Sequence, residues 1–345
     1  MEKNNSINLW RIIFTYLIVV FHFDTTFPWM REAGLVPGWY LAVEFFFLVS
    51  GYLIYAKSDE YIKRYDRAFR FTLHRYARIW PKYIAAFCLT FLAIHILGKS
   101  SLSVPDDLWN SRYELVLLQG LIARGWDWIN PTLWYLSVML VSGFIMFLGL
   151  RYLRSIFIKI IAPASIVLCL AAIMVKSGNL DAAVMMPGEY VNYPLFRGIA
   201  EMFMGMYACM LTEKPAHSGY IKAWHTLGLL FMASGIVMAA FYGHSYMDLL
   251  ILLLFFFGVA WGFLPVDGTL YGSRLIRFWS DITLEIYLLH ELFRTHIFPY
   301  FFRQDAPIGQ KLLYMLLYMT AVTAAAGLMH LIFEFTERFF KFNGE

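Results

Sequence analysis

The sequence predicts an all-α fold, a polytopic membrane helix bundle of about ten transmembrane helices. Three observations predict it. Hydrophobic residues make up 60% of the 345-residue chain and aromatics 19%, only 15% are charged, and the mean hydropathy is +0.59. Water-soluble domains are about half apolar and about a quarter charged. Apolar runs close to the ~20 residues that a bilayer core requires recur from end to end. Most charges gather between those runs, so the few inside them stand out.

Taken in order, the runs give spans at 8–27, 39–56, 82–98, 132–150, 156–175, 195–212, 223–242, 247–265, 279–299 and 311–335. The interval 100–131 carries Asp106, Asp107, Trp109, Trp126 and Trp128 and fits an external loop with an interfacial or re-entrant helix. In the eighth span, Gly258 and Gly262 form a small-xxx-small pair that would let another helix approach closely. No Pro/Gly/Ser-rich linker divides the chain and no soluble stretch of domain size is left over. Residues 1–345 therefore read as a single integral-membrane domain. The first run is too long for a cleavable signal, and no small-residue cleavage site follows it, so it is expected to stay as the first span. Cys88, Cys169 and Cys209 lie far apart in apolar runs, with neither a disulfide framework nor a zinc spacing. They read as small core hydrophobes.

Ten spans put both termini on one side. With that side inside, the internal segments and their flanks hold 19 of the 28 Lys and Arg. The stretch 57–82 alone has Lys57, Lys63, Arg64, Arg67, Arg70, Arg75, Arg78 and Lys82. Positive residues favour the cytoplasmic side, which places both termini in the cytoplasm.

Ionisable groups inside a span are costly, which makes them site candidates. Arg11 and His22 sit in the first span with ten residues between them. Eleven steps of about 100° nearly close three turns, so the two share one helix face, about 16 Å apart along the axis. One end offers a fixed positive charge and the other a group able to move a proton near neutral pH. Asp24, two positions on from His22, points to another face. Arg75 and Arg78 are three apart just before Pro81, where a helix can begin afresh. As helix-surface neighbours they can grip phosphates in bidentate fashion, although topology alone explains basic residues there.

Glu44 lies in the second span at a depth close to that of His22. It either orients His22 or pairs with a buried cation such as Arg197. In the sixth span, Arg197 and Glu201 at i,i+4 read as a self-neutralised pair. The ninth span crowds Glu285, Tyr287, His290, Glu291 and Arg294, a density that suggests a polar cavity. His330 and Glu334 read as a stabilising pair near the end of the last span. There is no P-loop, dinucleotide glycine fingerprint, HExxH or GxSxG elbow. No metal set is visible, and basic residues are not interleaved with aromatics on a polar face, which argues against nucleic acid.

Together these residues resemble the acyltransferase-3 family of bacterial membrane proteins, which acylate cell-surface and exported glycans. Arg11 and His22 match its Arg-x10-His signature. Glu44 to Ile54, EFFFLVSGYLI, looks like its second-span motif of an acid, paired Phe and Ser-Gly. Arg75 and Arg78 match its Arg-x-x-Arg motif, with the aromatic and Pro81 that follow it. Ser280 to His290 is similar to its Gly-x-x-Ser-x-x-x-Tyr-x-x-His block, with Tyr287 and His290 matched. The block's Gly is Ser280 here and its Ser is Thr283, and LWYLSVML at 133–140 lacks an acidic pair that many members carry.

The resemblance implies an acyl-CoA-dependent O-acyltransferase of the bacterial cytoplasmic (inner) membrane, moving an acyl group, most simply acetyl, to a saccharide or lipid-linked glycan hydroxyl. It implies acyl-CoA as co-substrate and no metal. Arg11, Arg75 and Arg78 would hold the nucleotide phosphates, His22 would act as general base and Glu44 would orient it. Tyr287, His290, Glu285, Arg197 and Glu201 would belong to the cavity. An acyl-histidine intermediate is left open. The alternative reading is a transporter of a glycan or lipid-linked sugar, with the same charges lining its path.

Overall fold

A computed structural model describes residues 6–100, 102–122, 128–182, 189–266 and 273–342, with side chains to residue 337. Among the described residues there is no strand, and ten helices of ten or more residues build a bundle. They are α1 (Ser6–Thr26), α2 (Ala42–Ala56), α3 (Ala68–Ile96), α4 (Trp134–Tyr152), α5 (Ala162–Ser177), α6 (Tyr193–Leu211), α7 (Ile221–Phe241), α8 (Met247–Gly262), α9 (Thr283–Leu292) and α10 (Ile308–Phe342). Their ends follow local chemistry. The Asn192 side chain caps α6 by accepting from the Leu195 N–H at 2.8 Å, with Pro194 in the first turn. Gly178, at φ 69°, closes α5 in the left-handed conformation that glycine adopts without strain.

Among the described residues, seven segments are long and apolar enough to cross a membrane: Ser6–Thr26, Trp39–Ala56, Ala68–Ile96, Pro131–Tyr152, Arg154–Ser177, Ile221–Phe241 and Ile308–Glu337. The expected ten is therefore not reached by length and composition. α8 has 16 residues, and α9 has ten before the chain passes into a π-helical turn at Phe293–Ile297. α6 is long enough but carries Arg197 and Glu201. It packs against α2, α4, α5 and α8, so protein rather than lipid surrounds it and its exterior need not be apolar.

Burial sorts the spans into two shells. The apolar windows of α1, α2 and α4 are 56–78% buried, whereas those of α3, α5, α7 and α10 are 22–28% buried. A polar site is therefore housed on the inner helices. Backbone contact locks that inner set. A Cβ at Gly51 of α2 would lie 1.8 Å from the Met202 carbonyl oxygen of α6, and one at Gly205 of α6 would lie 2.0 Å from that of Leu48. Small residues permit such approach where lipid supplies no hydrophobic drive. The expected Gly258/Gly262 pair does the same between α8 and α7, meeting Met232 and Gly228.

Two local expectations change. α3 runs unbroken through Pro81 for 29 residues, so Arg75 and Arg78 lie within the helix that continues into the span. Proline costs a membrane helix one backbone bond, which it tolerates when packed. The interval 102–122 is neither a plain loop nor one interfacial helix. Short helices Val104–Asn110 and Arg112–Leu115 lead to Glu114, which is buried and accepts from the Ile129 and Asn130 N–H groups at 2.8 and 3.0 Å. Tyr83 of α3 donates to the Glu114 carbonyl at 2.8 Å, which fastens the segment to the bundle. Trp109 is exposed and Trp128 buried, whereas Trp126 lies outside the described residues.

Candidate active site

One face of α1 carries the site. Ile7, Arg11, Thr15 and Ile18 line a central cavity of about 340 Å³, and Ile18 and His22 line a smaller one of about 70 Å³ beyond it. Steps of three and four residues keep these side chains on one stripe, as the Arg11–His22 spacing predicts. A third cavity, of about 280 Å³, opens at the basic end among Lys57, Arg64, His74, Arg75 and Arg78. The three cavities adjoin one another. The basic and central ones share Ser50, Leu53 and Arg75, and the central and small ones share Ile18, Val43 and Tyr287.

Three arginines along this path have no carboxylate partner among the described residues. Arg11 donates from Nη2 to the Thr283 hydroxyl at 3.2 Å. Arg75, half-buried, sits over the Phe71 ring and leaves Nη1 buried with no hydrogen-bond partner. Gly143 of α4 makes room for it, since a Cβ there would lie 3.1 Å from that Nη1. Arg78 is exposed in the basic cavity. An uncompensated guanidinium in a cavity can receive an anion, and its planar fork suits phosphate oxygens. Thr283, where the family block usually has Ser, keeps the hydroxyl that receives Arg11.

At the other end of the path stands His22. Its Nδ1 lies 2.9 Å from the Ile18 carbonyl oxygen. A carbonyl only accepts, so Nδ1 carries the proton and the neutral ring presents a bare lone pair at Nε2. His290 is arranged alike, with Nδ1 donating to the Tyr287 carbonyl at 2.6 Å and Nε2 buried without a partner. The two imidazole centroids are 5.0 Å apart.

Glu44 does not orient His22. It accepts from Arg197 at Nε (3.0 and 3.1 Å) and at Nη2, and both side chains are almost fully buried. Of the two roles open to Glu44, the guanidinium wins because a buried fork without a carboxylate would be far costlier than a neutral imidazole. Glu201 forms the expected i,i+4 ion pair with Arg197 at 3.5 Å, and Glu44 adds a closer bridge from α6 to α2. Asp24 points away from His22, as expected, accepting from the Met30 N–H at 2.9 Å and pairing with Arg31.

The expected cavity residues divide. Tyr287 lines both inner cavities and Arg197 lines the small one. His290 borders His22 from behind, while Glu201 and Glu285 line none of these three cavities. Glu285 is a cross-tie instead, accepting from Lys82 of α3 and from His330 Nδ1 of α10 at 2.9 Å. His330 therefore pairs primarily with Glu285, and Glu334 stands at 3.7 Å. Sequence reading did not single out Ser50, Tyr135, Asp181 or Tyr40 as cavity residues. Only Ser50 carried any signal, as the Ser of the Ser-Gly in the second-span motif.

The profile of the acyltransferase-3 family, described as an acyltransferase domain, matches residues 4–331. The chain belongs to the acyltransferase-3 family. No curated protein and no solved structure matches it. As an acyltransferase-3 protein it is a membrane acyltransferase, and its matched stretch contains all three cavities. The family's motif residues Arg11, His22, Arg75 and Tyr287 line one path through it, and Arg78 lines its mouth.

Proposed function

We propose that the protein transfers an acetyl group from acetyl-CoA to a hydroxyl of a cell-surface or exported saccharide. The observation that carries the reading is the run of arginines without a carboxylate partner at one end of a row of adjoining cavities whose other end holds the free Nε2 of His22. Arg75, Arg78 and Arg11 would hold the phosphates of CoA at the cytoplasmic mouth of a bacterial inner-membrane protein with both termini inside. The pantetheine arm would occupy the central cavity, whose lining is mostly apolar. The ~16 Å that separates Arg11 from His22 along a helix suits such an arm.

In this reading, His22 Nε2 takes the proton of the acceptor hydroxyl as its oxygen attacks the thioester carbonyl. The carbon–sulfur bond then breaks, and the CoA thiolate takes the proton from the imidazolium. Nδ1–H held on the Ile18 carbonyl keeps the ring in the tautomer that this step needs. The central cavity falls within the 300–1,000 Å³ range of small-molecule sites.

The test is calorimetric titration of acetyl-CoA into protein in nanodiscs, alongside Arg75→Ala with Arg78→Ala and, separately, His22→Ala. Saturable binding that the double variant loses, with His22→Ala binding donor but transferring nothing, is expected. Retained transfer in His22→Ala would remove the role given to this imidazole. Absence of binding in folded protein would favour translocation of a glycan along the same path.

A further inference from the structure

The small cavity at His22 also speaks to the acceptor. Its walls are Ile18, Phe21, Tyr40, Val43, Thr132, Trp134, Arg197 and Tyr287, with Asp181 at the rim. An engineered protein cavity of about 150 Å³ holds a benzene ring. At about 70 Å³ this one admits a few heavy atoms and no six-membered ring.

The walls are braced from behind, which presets the volume. Tyr40 donates to Asp248 and accepts from the His244 N–H at 2.8 Å. Asp248 in turn accepts from the Leu180 N–H at 2.9 Å. Tyr287 donates to the Thr132 carbonyl, and the Thr132 hydroxyl is spent on Asn130 at 2.8 Å. Arg197 is held by Glu44 with its guanidinium over the Trp134 ring.

The groups that can meet a ligand include the Nε2 of His22, the carboxylate of Asp181 and the Nη1 of Arg197, which gives only Nε and Nη2 to Glu44. Asp181 is 39% exposed, and its nearest cationic neighbour, His244 Nδ1, stands 3.7 Å away, beyond a hydrogen bond. No uncompensated cation faces the cavity, because Arg197 is already neutralised, and the Asp181 charge disfavours an anionic group.

Resting on the acyl-transfer reading, we propose that the acceptor presents a neutral primary hydroxyl on an exocyclic CH2OH arm. The arm enters the His22 cavity while the sugar ring stays outside, with a neighbouring ring hydroxyl donating to Asp181. Ring hydroxyls, held close to a body too wide for the cavity, do not reach Nε2.

The experiment uses full-length protein in nanodiscs with acetyl-CoA and two soluble probes. One is methyl glucopyranoside, and the other is methyl xylopyranoside, the same ring without the hydroxymethyl arm. NMR identifies the acetylated position, and acetyl-CoA binding is measured in the same preparation. Acetyl on the exocyclic oxygen is expected, with at least tenfold preference for the glucoside. Asp181→Asn should raise the KM for the glucoside about tenfold, the loss of one charge-assisted hydrogen bond, and leave donor affinity unchanged. With donor binding intact, acetylation at a ring position, equal use of the xyloside, or no transfer to the glucoside overturns this proposal alone. An Asp181→Asn variant with unaltered KM removes the rim contact. Loss of donor binding in the native protein overturns the acyl-CoA reading and this inference with it.

Discussion

Arg197 and Arg75 are both guanidiniums inside the same bundle, yet Arg197 gives Nε and Nη2 to Glu44 while Arg75 leaves Nη1 with no partner. The contrast extends to their neighbours. On the Arg197 side, Arg31 pairs with Asp24 and Arg294 with Glu291. On the Arg75 side, neither Arg11 nor Arg78 has a carboxylate partner among the described residues. Removing charge from water is expensive, and pairing offsets the cost within the chain itself. Charges left unpaired in a cavity keep their capacity for an outside anion, at some expense to the empty protein. One set of arginines is therefore spent within the bundle, and the other set, in the reading proposed above, is kept for a ligand.

The sharpest way to break this comparison is to remove the carboxylate from a paired arginine. Glu44→Ala should destabilise the protein by about 3–5 kcal/mol, because it removes the hydrogen-bonded partner of a buried guanidinium and leaves only Glu201 at 3.5 Å. Thermal unfolding in nanodiscs checks it, and an unchanged midpoint would deny the pair its structural role. Arg75→Ala with Arg78→Ala should do the opposite. Donor affinity should fall at least 100-fold while the unfolding midpoint holds or rises, since the change deletes uncompensated charge. Arg75→Lys sharpens the point, keeping charge but losing the fork. About tenfold weaker donor binding by calorimetry is expected, against no loss if charge alone matters. The smallest effect should come from salt. Raising ionic strength from about 0.05 to 0.5 M should weaken donor binding several-fold and leave the unfolding midpoint nearly still, because the paired set is shielded from solvent.

What the sequence revealed follows the same division. The Arg11–His22 stripe was legible because both residues ride one helix, where period alone sets the face. Arg75 and Arg78 were legible for the same reason. The partner of Glu44 was not, since it depends on how α2 meets α6, and that contact is made by Gly51 and Gly205, far apart in the chain. Depth in the membrane placed Glu44 near both His22 and Arg197 and could not choose between them. Glu285 was drawn into the cavity by the polarity of its neighbours, but its side chain faces α3 and α10, where Lys82 and His330 lie. Asp181 escaped notice because it lies outside the expected spans, at a rim built by tertiary packing. The ninth span looked long because the apolar run continues past Leu292, whereas the backbone passes there into a π turn.

The three residues common to the central and small cavities, Ile18, Val43 and Tyr287, have a bioenergetic consequence. A bilayer that stores an ion gradient cannot carry an open water-filled hole. Two aliphatic side chains and an aromatic ring at that junction disfavour a water-filled passage, the same physics that closes hydrophobic channel gates. In the reading proposed above, such a constriction would let the protein join a donor from one compartment to an acceptor from the other without short-circuiting the membrane in which it sits.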